Sequence, residues 1–337
     1  MLALIYGIAG IVLFFLVIFD IIKTTLSMEG GGVITSGVSR GIWNTAFYIS
    51  GKNAKSPILK PVGYIILILI VVLWILLLWS SLFILLLAVE DSVINATTQI
   101  SANNWEKFYY AGFIISTVGI GDFIANSNMW KIISDIYAFT GLVFITMSIT
   151  YFIPVLSAVI KQKQLSLELN SLGSSPHKIL ENGWDGQNFD RLVKQSSALS
   201  QILFLHSQNH RAYPVIHYFH SSKKNTAITL QIAKLYEALI LLQNFVKEEY
   251  IPHPQEFASI NASIENYISV VMEVGKIKDT YNNPPPVYNI SQETYISRHN
   301  TSNQLPAKLQ ENRSILEQIV ANSGWSWKAV YNMDINT

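Results

Sequence analysis

Three long runs of apolar residues constrain the fold of this 337-residue chain more than any other feature. They cover residues 2–22, 62–89 and about 132–160. Each is long enough to cross a bilayer as a helix, which needs about 20 apolar residues in succession. The second run has no charged residue, and each of the others has a single aspartate near one end. The sequence therefore predicts a membrane protein with three transmembrane helices.

The first run could be either a cleaved signal peptide or a retained span. A signal peptide has a basic segment before its apolar core and a small-residue cleavage site after it. The run has neither. We therefore interpret residues 1–22 as an N-terminal transmembrane helix.

Charged residues divide the chain into two unlike halves. Residues 1–160 contain 14 charged side chains, 7 basic and 7 acidic, whereas residues 161–337 contain 31, 16 basic and 15 acidic. This contrast predicts a soluble domain after the third span. Because the two signs nearly balance, the composition argues against a nucleic-acid partner. The chain has no cysteine, which excludes a disulfide framework and a cysteine-based zinc site.

The segments between the runs differ in charge. Residues 23–61 contain five basic residues and one acidic residue, whereas residues 90–131 contain four acidic residues and two lysines. An excess of Lys and Arg marks the cytoplasmic side of a membrane. We therefore expect a plasma-membrane protein with its N-terminus outside, a cytoplasmic loop at 23–61, an external segment at 90–131 and a cytoplasmic domain at 161–337.

The cytoplasmic loop contains the stretch SRGIWNTAFYIS, residues 39–50. If this stretch is helical, Ile42, Trp43, Ala46 and Phe47 share one face. Such a face is typical of a short helix that lies in the membrane interface. An ordinary loop with a few buried apolar residues is an equally open interpretation.

The external segment contains a helical pattern that is followed by a glycine-rich stretch. NNWEKFYYAGFIIS, residues 103–116, predicts a helix in which Asn103 caps the first turn and Glu106 occupies the capping-box position. It is followed by TVGIGD, residues 117–122, which predicts irregular backbone. Irregular backbone at membrane depth is tolerated only where protein buries it or where it lines a water-filled pathway. We therefore expect the hexapeptide to line such a pathway.

The residue types of this hexapeptide suit the coordination of a dehydrated cation. Gly119 and Gly121 allow backbone angles that other residues avoid. Alternating glycine with other residues can direct successive carbonyl oxygens toward one axis. A ring of such oxygens from several subunits replaces the hydration shell of an ion, and the Thr117 hydroxyl can add one more layer.

Together with the spans on either side, this helix and hexapeptide resemble the pore module of tetrameric pore-loop potassium channels, whose filter reads TVGYG. The resemblance covers residues 62–160 and implies an all-α membrane protein in which outer helix, pore helix, filter and inner helix follow one another. It also implies a homotetramer in the lipid bilayer. The implied K⁺ sites are the carbonyls of four residues, with Gly121 completing the filter: Thr117, Val118, Gly119 and Ile120. K⁺ is then the permeant ion, no cofactor is expected, and the protein is not an enzyme.

The same resemblance assigns supporting roles around the filter. Asp122 corresponds to the aspartate that follows the filter, and Tyr109 and Tyr110 correspond to an aromatic pair that packs behind it. Gly141 corresponds to a hinge in the inner helix. Ile120 departs from the family pattern, which has Tyr or Phe there. Loss of this aromatic brace puts the rigidity of the filter in question, and the first alternative to a K⁺-selective channel is a weakly selective cation channel. The second alternative, from another functional class, is a membrane sensor or scaffold whose pore loop does not conduct.

The inner helix has two weak points, Gly141 and Pro154, because glycine costs helix stability and proline removes a backbone hydrogen bond.

Apolar residues recur at helical spacing after Gly141: Leu142, Ile145, Ile149 and Ile153. We call these four residues the apolar stripe. Four copies of it would form an apolar tube, and a narrow apolar constriction can stop ions by dewetting. We expect a gate at residues 149–153 that the cytoplasmic domain moves through residues 160–170. The alternative is that the stripe packs against the outer helix and that the filter itself gates.

The sequence of the C-terminal half predicts a helical bundle. Apolar residues recur at intervals of three and four in 228–246 and 257–274, which predicts two helices with a shared core. Further helices are predicted at about 188–206 and 306–321, and a proline-rich extended linker at 282–306. The chain has no G-x-G-x-x-G motif after a strand and no helix with regularly spaced arginines, which argues against a Rossmann-type regulator and a voltage sensor. The regulatory ligand of this domain stays unassigned.

Four histidines lie within fifteen residues: His206, His210, His217 and His220. Their spacing could bind a metal or sense pH. Because no cysteine or carboxylate lies nearby, we favour ordinary surface or core histidines.

Overall fold

A computed structural model describes residues 1–27, 30–275, 285–288, 295–296 and 305–333. The all-α fold class is confirmed. The helices are α1 (Leu2–Thr25), α2 (Val33–Ile49), α3 (Val62–Leu86), α4 (Asn104–Ile115), α5 (Asn128–Leu172), α6 (Pro176–Gly183), α7 (Asp190–Ala212), α8 (Ile228–Phe245), α9 (Ala258–Gly275), α10 (Ala307–Asn322) and α11 (Trp327–Val330). Two short strands, β1 (Val93–Asn95) and β2 (Phe123–Ala125), pair antiparallel. Most of the predicted linker at 282–306 lies outside the described residues.

The contacts divide the chain into two compact units. The membrane unit comprises Met1–Ser39 and Ile65–Val155, and the helical unit comprises Arg40–Tyr64 and Leu156–Thr337.

The three predicted spans are present as helices. Among the described residues, Leu2–Thr25, Pro57–Leu86 and Asn128–Leu172 are long and apolar enough to cross a membrane. The third helix continues without interruption through Pro154 and past residue 160. Its continuation, KQKQLSLELNSL, consists largely of Lys, Gln, Leu and Glu, which are good helix formers. The end of the apolar run is therefore not the end of the helix.

Close packing joins the helices of the membrane unit. A Cβ atom added to Gly10 on α1 would lie 2.8 Å from Leu85 Cβ on α3, so the missing side chain lets these two helices approach. Tyr137 on α5 shares a hydrogen bond of 2.9 Å with Ser81 on α3. The Tyr137 ring also lies 4.7 Å from the Phe14 ring of α1, centroid to centroid. The inner helix thus contacts both of its neighbours through one tyrosine.

The 23–61 loop contains a helix, α2, as one of the two interpretations predicted. The predicted apolar face is its more buried face. Within the helical unit, the buried Trp43 ring lies 5.9 Å from the Tyr218 ring and 6.0 Å from the His220 ring. The ordinary-loop interpretation is therefore wrong. Trp43 packs against protein, and the position of α2 relative to lipid stays a prediction.

The helical unit is built around α8, whose residues are almost all buried. A buried carboxylate lies within this core. Glu237 on α8 accepts two hydrogen bonds from the Arg313 guanidinium of α10, at 2.6 and 2.9 Å, and a third from the Tyr331 hydroxyl. Removing one member of such a buried pair leaves an uncompensated charge, at a cost of about 3–5 kcal/mol. The pair therefore ties α10 and the C-terminal turn to α8.

Two of the four clustered histidines belong to the core of the helical unit. His206 and His210 on α7 are both 3% exposed, with ring centroids 4.9 Å apart. Burial lowers the pKa of His206 to about 4, so the ring is neutral at neutral pH. Across the described part of the chain, no group of three or more His, Cys, Asp or Glu side chains could hold a metal ion. The structure therefore supports the interpretation of this pair as core histidines.

Candidate functional site

The site is built on α4, the predicted pore helix, which starts at the predicted residue. The Asn103 side chain accepts hydrogen bonds from the backbone N–H groups of Trp105 and Glu106, at 2.9 and 3.1 Å. The Glu106 carboxylate accepts one from the Asn103 N–H at 2.7 Å. This is the predicted capping box, and it anchors the first turn of the helix.

Lys107 joins the start of α4 to the end of α3, which the sequence analysis did not predict. Its ammonium group is buried and donates to the carbonyls of Leu86 and Val89, at 3.1 and 2.7 Å. A cation there complements the negative end of the α3 dipole and adds a donor to carbonyls that already accept from Ser92. Burial lowers the pKa of Lys107, and the negative charges of Glu90 and Asp91 oppose that shift.

Trp79 of α3 supports the middle of α4. Its indole nitrogen donates to the Phe108 carbonyl at 2.8 Å, and its ring stacks on the Phe108 ring at 4.6 Å. A Cβ atom on Gly112 would lie 2.7 Å from the Trp79 ring. Gly112 therefore lets the indole lie directly against the pore helix.

The end of α4 leads directly into residues 117–121, the predicted filter segment. The Thr117 N–H donates to the Ile114 carbonyl at 3.0 Å, and the Val118 N–H donates to the Phe113 carbonyl at 3.1 Å. Thr117 has a φ of +58°, the left-handed conformation. This pair of hydrogen bonds with a left-handed residue is a Schellman motif, which ends the helix and redirects the chain.

The backbone of the filter segment alternates between two conformations. The φ angles of Thr117, Gly119 and Gly121 are positive, at +58°, +59° and +86°, whereas Val118 and Ile120 between them are not in that region. Where left-handed residues alternate with right-handed ones, successive N–H groups can turn toward one side of the chain and the carbonyl oxygens toward the other. Glycine adopts a positive φ without strain at two of the three positions. The alternating sign of φ is compatible with the predicted row of carbonyl ligands, which stays a prediction.

Residues 116–122 are all exposed within the single chain. Val118 is 65% exposed and Ile120 is 54% exposed, which is unusual for apolar side chains in an ordered segment. The rest of the chain therefore leaves this segment uncovered.

The two tyrosines assigned behind the filter have different partners. Tyr110 is buried, and its hydroxyl shares a hydrogen bond of 2.7 Å with Ser134 on α5. The Tyr109 ring packs against Phe113 and Phe123, with centroids 5.3 and 6.2 Å apart. Partial desolvation raises the pKa of Tyr109. The Asp122 carboxylate raises it further, through its negative charge and as a hydrogen-bond acceptor.

The β1–β2 pair holds the chain on either side of α4. Val93 pairs with Ala125, and Asn95 pairs with Phe123. The Ala96 N–H also donates to the Asp122 carbonyl at 2.9 Å, directly after the filter segment. The exit from the filter is therefore tied to the entry of the pore helix.

Gly141 lies where α5 packs closely against the end of α4. A Cβ atom on Gly141 would lie 2.0 Å from the Ile115 carbonyl oxygen, in the last turn of the pore helix. The residue therefore has a packing role, and its predicted role as a hinge stays a prediction. Pro154, the second predicted weak point, lies inside α5.

The apolar stripe of the inner helix is exposed within the single chain. Its exposed fractions are 53% for Leu142, 48% for Ile145, 55% for Ile149 and 66% for Ile153. The buried face of α5 is a different one, which includes Tyr137, Phe144 and Tyr151. Packing against the rest of the chain therefore does not account for the stripe, and the gate at residues 149–153 stays a prediction.

Comparison with known proteins agrees with this geometry. A family model described as an ion channel matches residues 69–158, which include α4, the filter segment and most of the helices on either side. The chain is 32% identical over 271 residues to the uncharacterized membrane protein YdjJ of Bacillus subtilis (strain 168), covering 79% of this chain and 78% of the relative. No solved structure matches the chain. With the family model covering two of the three spans and α4 between them, the chain belongs to the pore-loop ion channel family with two helices per pore module.

Proposed function

We propose that this protein is a potassium-selective channel of the plasma membrane, assembled from four copies of the chain. The observation that carries the proposal is the alternating sign of φ along residues 117–121, which suits a row of carbonyl oxygens directed toward one axis. Its environment supports the proposal, because α4 leads directly into it. The capping box fixes the start of α4, and hydrogen bonds from Trp79 and to Ser134 hold it against α3 and α5.

Carbonyl coordination gives the proposed selectivity. Rings of carbonyl oxygens replace the hydration shell of K⁺ as it enters the filter. In the proposed tetramer, Thr117, Val118, Gly119 and Ile120 supply these rings, and the Thr117 hydroxyl supplies the innermost layer. The chemistry is coordination and release of the permeant ion, and no bond is made or broken.

The assembly follows from symmetry and exposure. The chain has one filter segment, and a closed pathway needs several copies around an axis. The surfaces that would face such an axis, namely the filter and the apolar stripe, are exposed in one chain. Four copies would cover the apolar side chains of both.

The proposed orientation places the N-terminus outside and the C-terminal domain in the cytoplasm. The five basic residues of the 23–61 loop favour the cytoplasmic side. The filter segment then lies toward the outside, and the C-terminal end of α5 lies toward the cytoplasm.

The experiment is a current measurement on the full chain reconstituted in a planar bilayer, with K⁺ on one side and Na⁺ on the other. The reversal potential is expected near the K⁺ equilibrium value. Gly119→Ala should abolish the current, because alanine is strained at a φ of +59°. Gly37→Ala on α2, where a Cβ atom meets nothing within 4 Å, is the matched control and should conduct normally. Absence of any current from the unmodified chain would favour a membrane sensor or scaffold.

One observation favours a second candidate, a weakly selective cation channel. Ile120 has the bulk of the family's aromatic residue but no ring or hydroxyl, and it is half exposed within the chain. A reversal potential near zero would support this candidate and contradict K⁺ selectivity. Ile120→Tyr should then move the reversal potential toward the K⁺ value, because it restores the aromatic brace.

A further inference from the structure

A cavity of about 490 Å³ lies within the helical unit. Its wall combines residues 60 and 64 before and at the start of α3, residues 159–167 of α5, and the segment 219–226 between α7 and α8. This volume lies within the range of small-molecule sites, about 300–1,000 Å³. None of the functions argued above uses the cavity.

The charged side chains that line this cavity are all basic. Lys60, Lys163 and Lys223 line it, whereas no aspartate or glutamate does. All three lysines are exposed, and none of them forms an ion pair with a carboxylate in the part of the chain that the structure describes. Three ammonium groups around one cavity favour an anionic occupant.

A second, independent observation comes from Gln162. Its side chain is 9% exposed and lines the same cavity. The Nε2 atom donates to the Phe219 carbonyl at 3.4 Å, whereas Oε1 is buried with no hydrogen-bond partner. A buried acceptor without a donor is costly, and a ligand hydroxyl would satisfy it. The side chains of Ser221, Ser222 and Thr226 add hydroxyl groups to this wall.

The position of the cavity along the chain indicates where its occupant comes from. Lys60 lies two residues before α3 begins, and Lys163 lies three residues after the exposed Ile160 at the end of the apolar part of α5. Lys60 thus directly precedes one apolar helix that is long enough to cross a membrane, and Lys163 directly follows the apolar part of another. Both positions correspond to the level of the phospholipid headgroups. Tyr64, half exposed on the wall, is the kind of residue enriched at that level.

We propose that this cavity binds a phosphate group with attached hydroxyls, supplied by the headgroup of an anionic phospholipid. The lysines face the phosphate, and the free oxygen of Gln162 accepts from a headgroup hydroxyl. A soluble sugar or glycerol phosphate has the same chemistry and is the alternative source. Binding does not depend on conduction, so this proposal and the proposed channel function can fail separately.

The experiment titrates the purified full chain, in a zwitterionic detergent, with dioctanoyl phosphatidylglycerol and follows thermal unfolding. Saturable stabilisation is expected, because a ligand that binds only the folded state raises the melting temperature. Dioctanoyl phosphatidylcholine, which has no net charge and no headgroup hydroxyl, should give none. Tighter binding of the lipid than of glycerol 3-phosphate assigns the site to lipid, and the reverse assigns it to a soluble phosphate. No saturable effect of either compound would overturn the proposal.

Single substitutions locate the binding site. Lys163→Gln and Lys223→Gln should each weaken binding about fivefold, the effect expected for one lysine near an anionic headgroup. Lys161→Gln is the matched control, because Lys161 lies on the same helix and does not line the cavity. It should change the dissociation constant less than about twofold. An equal loss in Lys161→Gln would mean that binding reflects general charge, and the cavity would not be the site. If Lys163→Gln fails to fold, Lys223→Gln, located outside the helices, decides the question.

Discussion

The carboxylate of Asp20 on the first span accepts a hydrogen bond of 2.9 Å from the indole nitrogen of Trp74 on the outer helix. The same carboxylate accepts from the Ile34 N–H at 2.8 Å and from the Thr35 hydroxyl at 2.6 Å, in the first turn of α2. A negative charge at a helix N-terminus satisfies unpaired N–H groups and complements the helix dipole. One buried side chain thus joins α1, α2 and α3.

Trp74→Phe should destabilise the protein, because it removes the indole donor and keeps an aromatic ring. A hydrogen bond to a charged group contributes about 1.5–3 kcal/mol, so the melting temperature should fall measurably. Asp20→Asn should cost at least as much, because the amide is uncharged and serves the N-terminus of α2 less well. In the double variant the two losses should not add fully, since both weaken the same interaction between these two side chains. Additive losses would show that the two side chains act independently.

Gly141→Ala should displace the end of the pore helix, because the new methyl group would lie 2.0 Å from the Ile115 carbonyl. Overpacking of this kind costs about 1–3 kcal/mol. Stability should fall, and ion flux should fall with it, because the last turn of α4 positions the filter. Gly37→Ala, in open space on α2, should be neutral or slightly stabilising. Normal flux through Gly141→Ala would show that the filter tolerates a shift of the pore helix.

Much of the membrane unit could be predicted from local sequence. Long apolar runs predict spans wherever they occur, and the capping box of Asn103 and Glu106 predicts the start of α4. The contacts that hold these helices together could not be predicted in the same way. Asp20 and Trp74 are 54 residues apart. Lys107 bonds to backbone carbonyls, which every residue has, so its sequence context contains no signal.

Glycine in the inner helix shows a second limit of sequence reasoning. A hinge and a close helix approach both require a missing side chain, so the sequence does not distinguish them at Gly141. Only the position of the Ile115 carbonyl reveals the packing role. The strands β1 and β2 were missed because three residues are too few for an alternating pattern.

Acid should destabilise the helical unit through His206. Its folded-state pKa of about 4 is below the ordinary value of 6.5, because burial disfavours the charged ring. Between these values the unfolded chain binds a proton that the folded chain does not, so stability falls as pH drops from 6.5 to 4. His206→Phe, which keeps a ring beside Tyr267, should flatten this pH dependence of the melting temperature. The exposed His253→Gln is the control, and an unchanged slope in His206→Phe would rule out this role for His206.

Thiol labelling tests the proposed membrane orientation, because the chain has no cysteine of its own and every label reports on an introduced one. Leu2→Cys should react with a membrane-impermeant maleimide on intact cells, and Asn53→Cys should react only after the membrane is opened. The expected pattern follows from the basic residues of the 23–61 loop, which favour a cytoplasmic position for that loop. The reverse pattern would place the filter segment toward the cytoplasm and contradict the proposed channel orientation.

The apolar stripe gives a test of where the pathway closes. Ile145 precedes the expected gate at residues 149–153, seen from the outside, and its side chain is exposed in the single chain. Because α5 continues as one helix to Leu172, motion of the proposed cytoplasmic domain would reach the stripe through residues 160–170. A charged thiol reagent added from the cytoplasm should modify Ile145→Cys much faster in open channels than in closed ones. Ile160→Cys, on the cytoplasmic side of the expected gate, is the control and should react at the same rate in both states. Equal rates at position 145 would mean that no gate lies below it, and closure would then have to occur at the filter.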